Sequence, residues 1–273
     1  MSSNLKKQFE KDGYIIIRNF IDDNTIRVLR EKFNNSEDKT KYLGYDSWSE
    51  YDEFISKILS NKKLEILKEI YDEPIIYPDF VTQLSNSPKS LMKPHWDLQS
   101  FIRYNKMSKI KNINYSKVGV YLQDSDEDIS GAIHYVPKSH KSFFYSISRP
   151  RRFISYLNSL RKNFLRKKQV VMKLKAGDMA IFDGRLLHSS SPKKGNLKKI
   201  SFYMSLLGDK KSLQSYLTNE IIRMSEDINN KKPNTDQRIE YIFSKDKIKN
   251  LQKISTIPIF IINQENILNL KYL

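Results

Sequence analysis

The chain has no cysteine among its 273 residues. A disulfide framework, thiolate metal sites and a cysteine nucleophile are therefore excluded. It also lacks any apolar run approaching the roughly 20 residues that a membrane-spanning helix needs. Its opening, MSSNLKKQFEKDGY, has no apolar core of the kind found in signal peptides. From these absences we expect a cytoplasmic protein.

Acidic residues are fewer than basic ones, since 31 Asp and Glu stand against 48 Lys and Arg and give a formal charge of +17. Such a charge suits a polyanionic partner, for example nucleic acid, an anionic membrane surface or a phosphorylated molecule. Composition alone also produces it, because Lys, Asn and Ile are abundant throughout, as in proteins of AT-rich genomes. The basic residues are scattered and not striped, so we expect that nucleic acid is not the partner.

Residues 1–73 show mainly helical patterns, in a chain whose hydrophobic content of 39% is that of a folded protein. LKKQFEKDG predicts a short helix that Gly13 ends, YIIIRNF predicts a strand, and IDDNTIRVLREKF predicts a second helix with an acidic or amide cap. Residues 50–71 predict a further helix. Its apolar positions are Phe54, Ile58, Leu64, Leu67 and Ile70.

From residue 74 to residue 208 the chain changes to short strand-like runs separated by turns. They are PIIYPDFVTQLS, KVGVYLQDS, AIHYVP, QVVMKLKAGDMAIFDG and KKISFYMSLLG. Many short strands after a helical start predict a mainly β fold with flanking helices, in which the strands form a sandwich or barrel. A basic insertion at 142–168 interrupts the strands, and 209–273 is a polar, variable C-terminal extension. We treat 1–273 as a single domain.

The segment KPHWDLQS holds a histidine and an aspartate two residues apart. On a strand, His95 and Asp97 point to the same face, so both can reach one ion. Taken alone, the pair favours a surface position at a strand end, because the pattern is common by chance. A third ligand is available in His188, which follows GDMAIFDG and precedes the loop HSSSPKKG. Two histidines and one carboxylate suit iron(II) and leave three coordination positions open.

A cation for a carboxylate ligand follows in NLKKISFYMSL. Lys199 and Ser201 are two residues apart on a predicted strand and therefore share a face. An ammonium group and a hydroxyl together can hold a carboxylate. Lys198 is adjacent, and the pattern leaves open which of the two lysines faces inward.

Four stretches resemble the phytanoyl-CoA dioxygenase-type family of iron(II)/2-oxoglutarate oxygenases. They are FEKDGYIIIRNFIDDNTIRVLREKF, HWD, GAIHYVPKSHK and GDMAIFDGRLLHSSSP. Together they span most of the chain. The resemblance implies a double-stranded β-helix, that is, a jelly-roll or cupin-like barrel. It also implies the cofactors Fe(II), 2-oxoglutarate as cosubstrate, and O2.

The resemblance assigns roles to particular residues. His95, Asp97 and His188 are the iron ligands and the catalytic centre. Position 199 binds the distal carboxylate of 2-oxoglutarate with help from Ser201. The family normally has arginine there, and lysine keeps the charge but loses the bidentate fork. Two residues of the strand before the metal motif are expected to line the cosubstrate pocket: Thr82 and Gln83.

The implied reaction is hydroxylation of an unactivated C–H bond. Related halogenases lack the carboxylate ligand, so Asp97 favours hydroxylation or a related oxidation. One alternative is a metal-dependent cupin enzyme that does not use 2-oxoglutarate. Another is a basic module that binds nucleic acid or a membrane surface and retains only a vestigial metal site.

The substrate is expected to be a small anionic molecule, phosphorylated, sugar-linked or lipid-linked. The insertion 142–168 supplies arginines for it if the insertion acts as a lid. As an amphipathic helix it can instead make peripheral contact with an anionic membrane, or it can be a solvated helix over the barrel. The candidate substrate contacts are Trp96, His134, Arg149 and Arg152, although packing is the more common role for a residue like Trp96 and a plain structural role the more common one for a histidine like His134. The sequence leaves the oligomeric state open.

Overall fold

The computed structural model of the chain describes residues 4–34, 41–43, 56–84, 94–98, 113–125, 131–142, 151–191 and 198–217. Its α-helices are α1 (Asn4–Asp12), α2 (Asp23–Asn34) and α3 (Arg151–Arg166), with 3-10 helices at Lys62–Glu69 and Ser139–Ser142. Residues 210–217 are also helical. The strands are β1 (Tyr14–Ile17), β2 (Lys41–Leu43), β3 (Ile75–Leu84), β4 (Tyr115–Tyr121), β5 (Ile133–Tyr135), β6 (Val170–Val171), β7 (Met179–Asp183), β8 (His188–Ser190) and β9 (Lys199–Leu207).

Two antiparallel sheets carry the fold. The larger has six strands in the order β1-β7-β4-β9-β3-β2, and the smaller has three in the order β6-β5-β8. In the described ranges the two sheets are hydrogen-bonded separately and do not close into one ring. Side chains of β5 and β7 pack in one buried cluster, so the sheets face each other. The predicted mainly β fold with flanking helices is confirmed.

The N-terminal elements form as their sequence predicts. α1 ends at Gly13, whose φ of 81° is the left-handed conformation that glycine adopts without steric penalty. β1 then pairs with β7 at the edge of the large sheet. The acidic cap predicted for α2 is Asp22, whose carboxylate accepts the backbone N–H of Thr25 at 2.8 Å.

The segment predicted as a helix at 50–71 is partly a 3-10 helix. Its N-cap is Asn61, whose side chain accepts a hydrogen bond from the backbone of Lys63. Four of the predicted apolar positions are buried, namely Ile58, Leu64, Leu67 and Ile70. Phe54 lies outside the described residues.

The basic insertion contains α3, in agreement with its interpretation as a helix. Asn158 is fully buried and Leu165 packs against the main core, so one side of α3 contacts that core. No helix in the described part of the chain is long and apolar enough to cross a membrane. The predicted C-terminal extension 209–273 is described only as far as residue 217.

Candidate metal centre

The two histidines of the predicted ligand set lie opposite each other in an antiparallel bridge. The backbone N–H of His95 donates to the carbonyl of His188 at 2.9 Å, and that of His188 donates to the carbonyl of His95 at 3.0 Å. The two ring centroids are 4.3 Å apart. Side chains directly opposite on one face of such a pair are close neighbours, so the backbone itself brings the imidazoles together.

Asp97 completes the cluster from two residues further along the chain. Its Oδ1 lies 3.3 Å from Nε2 of His95 and 3.7 Å from Nε2 of His188. One ligand atom from each of the three residues lies within 4.8 Å of the other two, so the cluster can hold one metal ion. The residue after Asp97 anchors this segment, because the backbone N–H of Leu98 donates to the carbonyl of Gly184 at 2.9 Å. The chain therefore brings the predicted trio to one place.

The orientation of the distal imidazole is set by a backbone carbonyl. Nδ1 of His188 lies 2.9 Å from the carbonyl oxygen of Leu186. A carbonyl oxygen only accepts, so Nδ1 carries the proton and Nε2 presents its lone pair to the cluster. Hydrogen bonds of this kind commonly orient metal-ligating histidines. The preceding turn is itself anchored, because the backbone N–H of Leu187 donates to the hydroxyl of Ser139 at 2.8 Å.

The protonation states of the cluster suit metal binding. Burial acts to raise the pKa of Asp97, but the charge of His188 and the hydrogen bond and charge of His95 outweigh it and hold that pKa well below its usual range. Burial lowers the pKa of His188 below its ordinary 6.5, against the opposing effect of Asp97. At neutral pH the carboxylate is therefore charged and the imidazole of His188 neutral, which are the forms that bind metals.

A buried cation lies on β9. The side chain of Lys199 is only 4% exposed, and its Nζ donates to the carbonyl of Gly131 at 2.9 Å. Burial lowers its pKa from 10.5 to about 8. Among the described residues no carboxylate forms an ion pair with it. A buried ammonium that lacks a counter-ion favours an anionic ligand, because an anion would offset its lost hydration.

Ser201 supports the same conclusion. Ser201 is fully buried, and within the described part of the chain its hydroxyl has no hydrogen-bond partner. Buried hydroxyls are nearly always paired, so an orphaned one indicates a ligand or water at that position. Lys199 and Ser201 are two residues apart on one strand and share a face. Together they fit a carboxylate.

The neighbouring lysine is placed differently. Lys198 is half-buried, and its Nζ donates to the backbone carbonyl of Phe33 at the end of α2, at 3.2 Å. Adjacent residues of a strand point to opposite faces, so only one of the two lysines can share a face with Ser201. That residue is Lys199.

The strands beside β9 bring further residues next to Ser201. Thr82 of β3 pairs with Ser201 on one side, and Gln83 pairs with Ile200. On the other side Ser201 pairs with Tyr121 of β4. Tyr121 is almost fully buried, and burial together with the neighbouring hydroxyl of Tyr203 raises its pKa well above 10. The sequence prediction missed this tyrosine, because alternation along one strand does not reveal which residue of another strand lies opposite.

The remaining candidates are spread over other parts of the molecule. Trp96 lies in the main core with 1% exposure. His134 is half-buried on β5, where it pairs with Ser189 beside the distal histidine. Arg152 belongs to α3, but its side chain lies outside the described residues, as does Arg149 altogether. Their predicted contact with substrate stays a prediction.

The fold and sequence are similar to those of known proteins. A family model described as phytanoyl-CoA dioxygenase matches residues 9–199. None of the curated proteins compared with the chain matches it. Among solved structures, HygX from Streptomyces hygroscopicus with nickel and 2-oxoglutarate bound is 13% identical, with a TM-score of 0.53 over 76% of this chain and 88% of that one.

Two further structures show the same likeness. The non-heme alpha ketoglutarate dependent epimerase SnoN from nogalamycin biosynthesis is 15% identical, with a TM-score of 0.52 over 74% of this chain and 79% of that one. EctD from S. alaskensis, in its apoform, is 14% identical, with a TM-score of 0.52 over 76% of this chain and 77% of that one. At such identities the likeness concerns the fold alone, and it confirms the predicted jelly-roll class.

Proposed function

Because the chain belongs to the phytanoyl-CoA dioxygenase family, whose model matches residues 9–199, we propose that it is an iron(II)- and 2-oxoglutarate-dependent dioxygenase. The observation that carries this proposal is the cluster of His95, Asp97 and His188, whose ligand atoms lie within 4.8 Å of one another. These three side chains would hold the iron, and 2-oxoglutarate and dioxygen would complete its coordination. When bound, these groups supply the oxidising power for attack on a C–H bond.

Lys199 and Ser201 bind the distal carboxylate of 2-oxoglutarate in this proposal. The ammonium group of Lys199 gains the counter-ion that the described residues do not provide, and the hydroxyl of Ser201 gains the hydrogen-bond partner it otherwise lacks. By holding the distal end of the molecule, these two residues would orient its other end toward the three metal-ligating side chains. The structure of HygX with nickel and 2-oxoglutarate supports this cosubstrate by analogy of fold.

Other residues limit the access of water to the metal centre and fix the orientation of the His188 ring. The ring of Phe182 lies 4.8 Å from the ring of His188 and is buried. Apolar contact on this side limits access of water, which protects reactive species from side reactions. The hydrogen bond from Nδ1 of His188 to Leu186 keeps the ring in the orientation that metal binding needs.

The reaction we propose is hydroxylation of an unactivated C–H bond in a small anionic substrate, phosphorylated, sugar-linked or lipid-linked. Asp97 would supply the carboxylate ligand that related halogenases lack, which favours hydroxylation or a related oxidation. The formal charge of +17 favours an anion over a neutral substrate. SnoN and the similar structure SnoK are described as an epimerase and a carbocyclase, so product analysis is needed to separate hydroxylation from other outcomes of the same chemistry.

The test is release of succinate coupled to uptake of oxygen, measured with iron(II), 2-oxoglutarate and ascorbate, because ascorbate supplies the two electrons that the unidentified substrate would otherwise provide. We expect turnover in the wild type and its loss in Asp97→Ala. The matched control is Asp72→Asn, because the side chain of Asp72 is 93% exposed. Metal binding without succinate release would instead indicate a metal-dependent enzyme that does not use 2-oxoglutarate. Absence of metal binding in the wild type would indicate a vestigial site.

The substrate class needs its own measurement. Small phosphorylated molecules and neutral molecules of equal size are compared as competitive inhibitors of succinate release, or as ligands in calorimetry. We expect the phosphorylated analogues to bind more tightly and their advantage to shrink with added salt. Equal binding of both kinds would contradict an anionic substrate and leave the oxygenase assignment intact.

A further inference from the structure

The large hydrophobic side chains that remain exposed are gathered on one segment. Phe153, Tyr156, Leu160 and Phe164 of α3 are 42%, 59%, 49% and 69% exposed, and Val170 of β6 is 44% exposed. Throughout the described ranges, no other large hydrophobic side chain is exposed. Contiguous exposed apolar surface on a folded protein marks a site of interaction.

The four α3 side chains form a single stripe, which we call the apolar stripe. They are separated by three, four and four residues, so they lie along one side of the helix. The side of α3 that meets the main core is a different one, because it carries the buried Asn158 and the packed Leu165. The apolar stripe therefore lies on a largely solvent-exposed side of α3.

Positive charge surrounds the apolar stripe. Residues 151–168 contain seven Lys and Arg and no Asp or Glu, and the sequence has no acid between Asp128 and Asp178. The ammonium group of Lys168 lies 5.1 Å from the ring centre of Phe164, at the edge of the stripe. Aromatic and leucine side chains on one side of a helix, flanked by basic residues, are typical of helices that lie in the interface of a lipid bilayer.

We propose that α3 docks this protein on an anionic lipid surface. The apolar stripe enters the boundary between headgroups and acyl chains, and the basic residues around it contact lipid phosphates. A second copy of the chain fits less well, because pairing two stripes would bring two sets of like charges together. Nucleic acid also fits less well, since exposed leucine and phenylalanine gain little against a phosphate backbone.

The docking surface is connected to the metal centre. β6 follows α3 closely and pairs with β5, which pairs with β8, the strand that begins with His188. The side chain of Gln169 donates to the hydroxyl of Ser189 at 2.9 Å and joins the end of α3 to the same strand. Docking through α3 favours a lipid-linked substrate, an extension that rests on the proposed function.

The test is flotation of the full chain with vesicles, performed without iron or 2-oxoglutarate so that its result does not depend on the oxygenase assignment. We expect binding to an equal mixture of phosphatidylcholine and phosphatidylglycerol, little binding to phosphatidylcholine alone, and weaker binding in high salt. Combining Leu160→Ser with Phe164→Ser is expected to weaken binding at least about tenfold.

A matched pair of charge variants tests the electrostatic part. Lys167→Gln with Lys168→Gln removes two exposed cations beside the apolar stripe, and Lys210→Gln with Lys211→Gln removes two exposed cations elsewhere. We expect the first pair to weaken binding about fivefold or more and the second to weaken it much less. Equal effects of the two pairs would indicate a non-specific charge effect and overturn the proposal.

Further outcomes overturn it as well. They include equal binding to both kinds of vesicle, binding to neither, and wild-type binding by the Leu160→Ser, Phe164→Ser variant. A wild-type dimer that this variant converts to a monomer would make the apolar stripe a self-association face. Displacement of vesicles by duplex DNA at equal charge would identify a general polyanion site. A lowered urea midpoint of the variant would show that the stripe packs within the protein.

Discussion

His95 and His188 exchange both of their backbone hydrogen bonds, at 2.9 and 3.0 Å. Residues paired in this way in an antiparallel ladder have Cα atoms about 5.5 Å apart, with their side chains on the same face. The backbone pairing therefore brings the two imidazoles side by side, where both can reach one ion. We expect a metal site that is formed before the ion arrives and that needs no local refolding on binding.

The first prediction concerns metal-linked stability. Nickel(II) or cobalt(II) is expected to raise the melting temperature of the wild type, because a ligand that binds only the folded state adds about 2.7 kcal/mol at a concentration about a hundred times its Kd. His188→Ala should abolish this increase while the protein without metal stays folded. Differential scanning calorimetry measures both quantities.

The control for this prediction is Asp72→Asn, whose exposed carboxylate lies outside the cluster. It should retain the full metal-dependent increase. If His188→Ala keeps an increase equal to that of the wild type, metals bind elsewhere on the chain, and the three-residue cluster is not the metal centre.

The second prediction separates the two adjacent lysines. Lys199→Met should raise the KM for 2-oxoglutarate by about ten- to a hundredfold, because a hydrogen bond to a charged group contributes about 1.5–3 kcal/mol. Lys198→Met should change that KM little, since Lys198 donates to the carbonyl of Phe33. Steady-state kinetics with varied 2-oxoglutarate measures the difference. A larger effect at position 198 would reverse the assignment.

The third prediction is the pH dependence of cosubstrate binding. Burial lowers the pKa of Lys199 to about 8, so its charge is lost as the pH rises through that value. If the protonated form alone binds 2-oxoglutarate, the apparent Kd should rise about tenfold between about pH 7 and about pH 9. Lys199→Arg should show a flat profile, because arginine stays charged throughout. Calorimetric titrations at several pH values provide the measurement.

The same shift affects stability with a definite sign. The unfolded lysine titrates near 10.5 and the folded one near 8, so between these values the unfolded state binds more protons. The free energy of unfolding without ligand should therefore rise with pH across this window. Below about pH 8 the destabilisation caused by burying the charged ammonium group should be fully present. Lys199→Met should remove this part of the slope. An unchanged slope in urea unfolding would show that another group is responsible.

Part of the centre was accessible from the sequence because it depends on local spacing. His95 and Asp97 share a face by strand alternation alone, and Gly13 ends α1 because it adopts a positive φ. The choice between Lys198 and Lys199 was not accessible. It depends on which face of β9 meets the core, and two adjacent lysines have the same side chain, so residue type does not distinguish them.

The environment of α3 was also beyond the sequence. Its periodicity predicts an amphipathic helix, but the same pattern arises whether the apolar side faces a core or the solvent. In the structure Phe164 is exposed while the polar Asn158 is buried. The register of β4 against β9, which places Tyr121 opposite Ser201, likewise depends on long-range pairing that no single segment encodes.

The fourth prediction tests how closely β4 is packed beside Ser201. A Cβ added to Gly119 would lie 2.4 Å from the hydroxyl oxygen of Tyr121, so the ring must move to accept it. Gly119→Ala should therefore lower the free energy of unfolding by about 1–3 kcal/mol. Tyr121→Leu removes the obstructing ring. In a protein that already carries Tyr121→Leu, Gly119→Ala should therefore lower the free energy of unfolding by less than it does in the wild type.

Urea unfolding of the wild type, both single variants and the double variant completes this thermodynamic cycle. We expect a coupling energy of about 1 kcal/mol in favour of the double variant. Gly119→Ala should also raise the KM for 2-oxoglutarate, because the displaced Tyr121 is the partner of Ser201 across the strand pair. If the two changes in the free energy of unfolding simply add, the ring of Tyr121 has room to move without penalty. The close approach at Gly119 then does not constrain the position of Tyr121 beside Ser201.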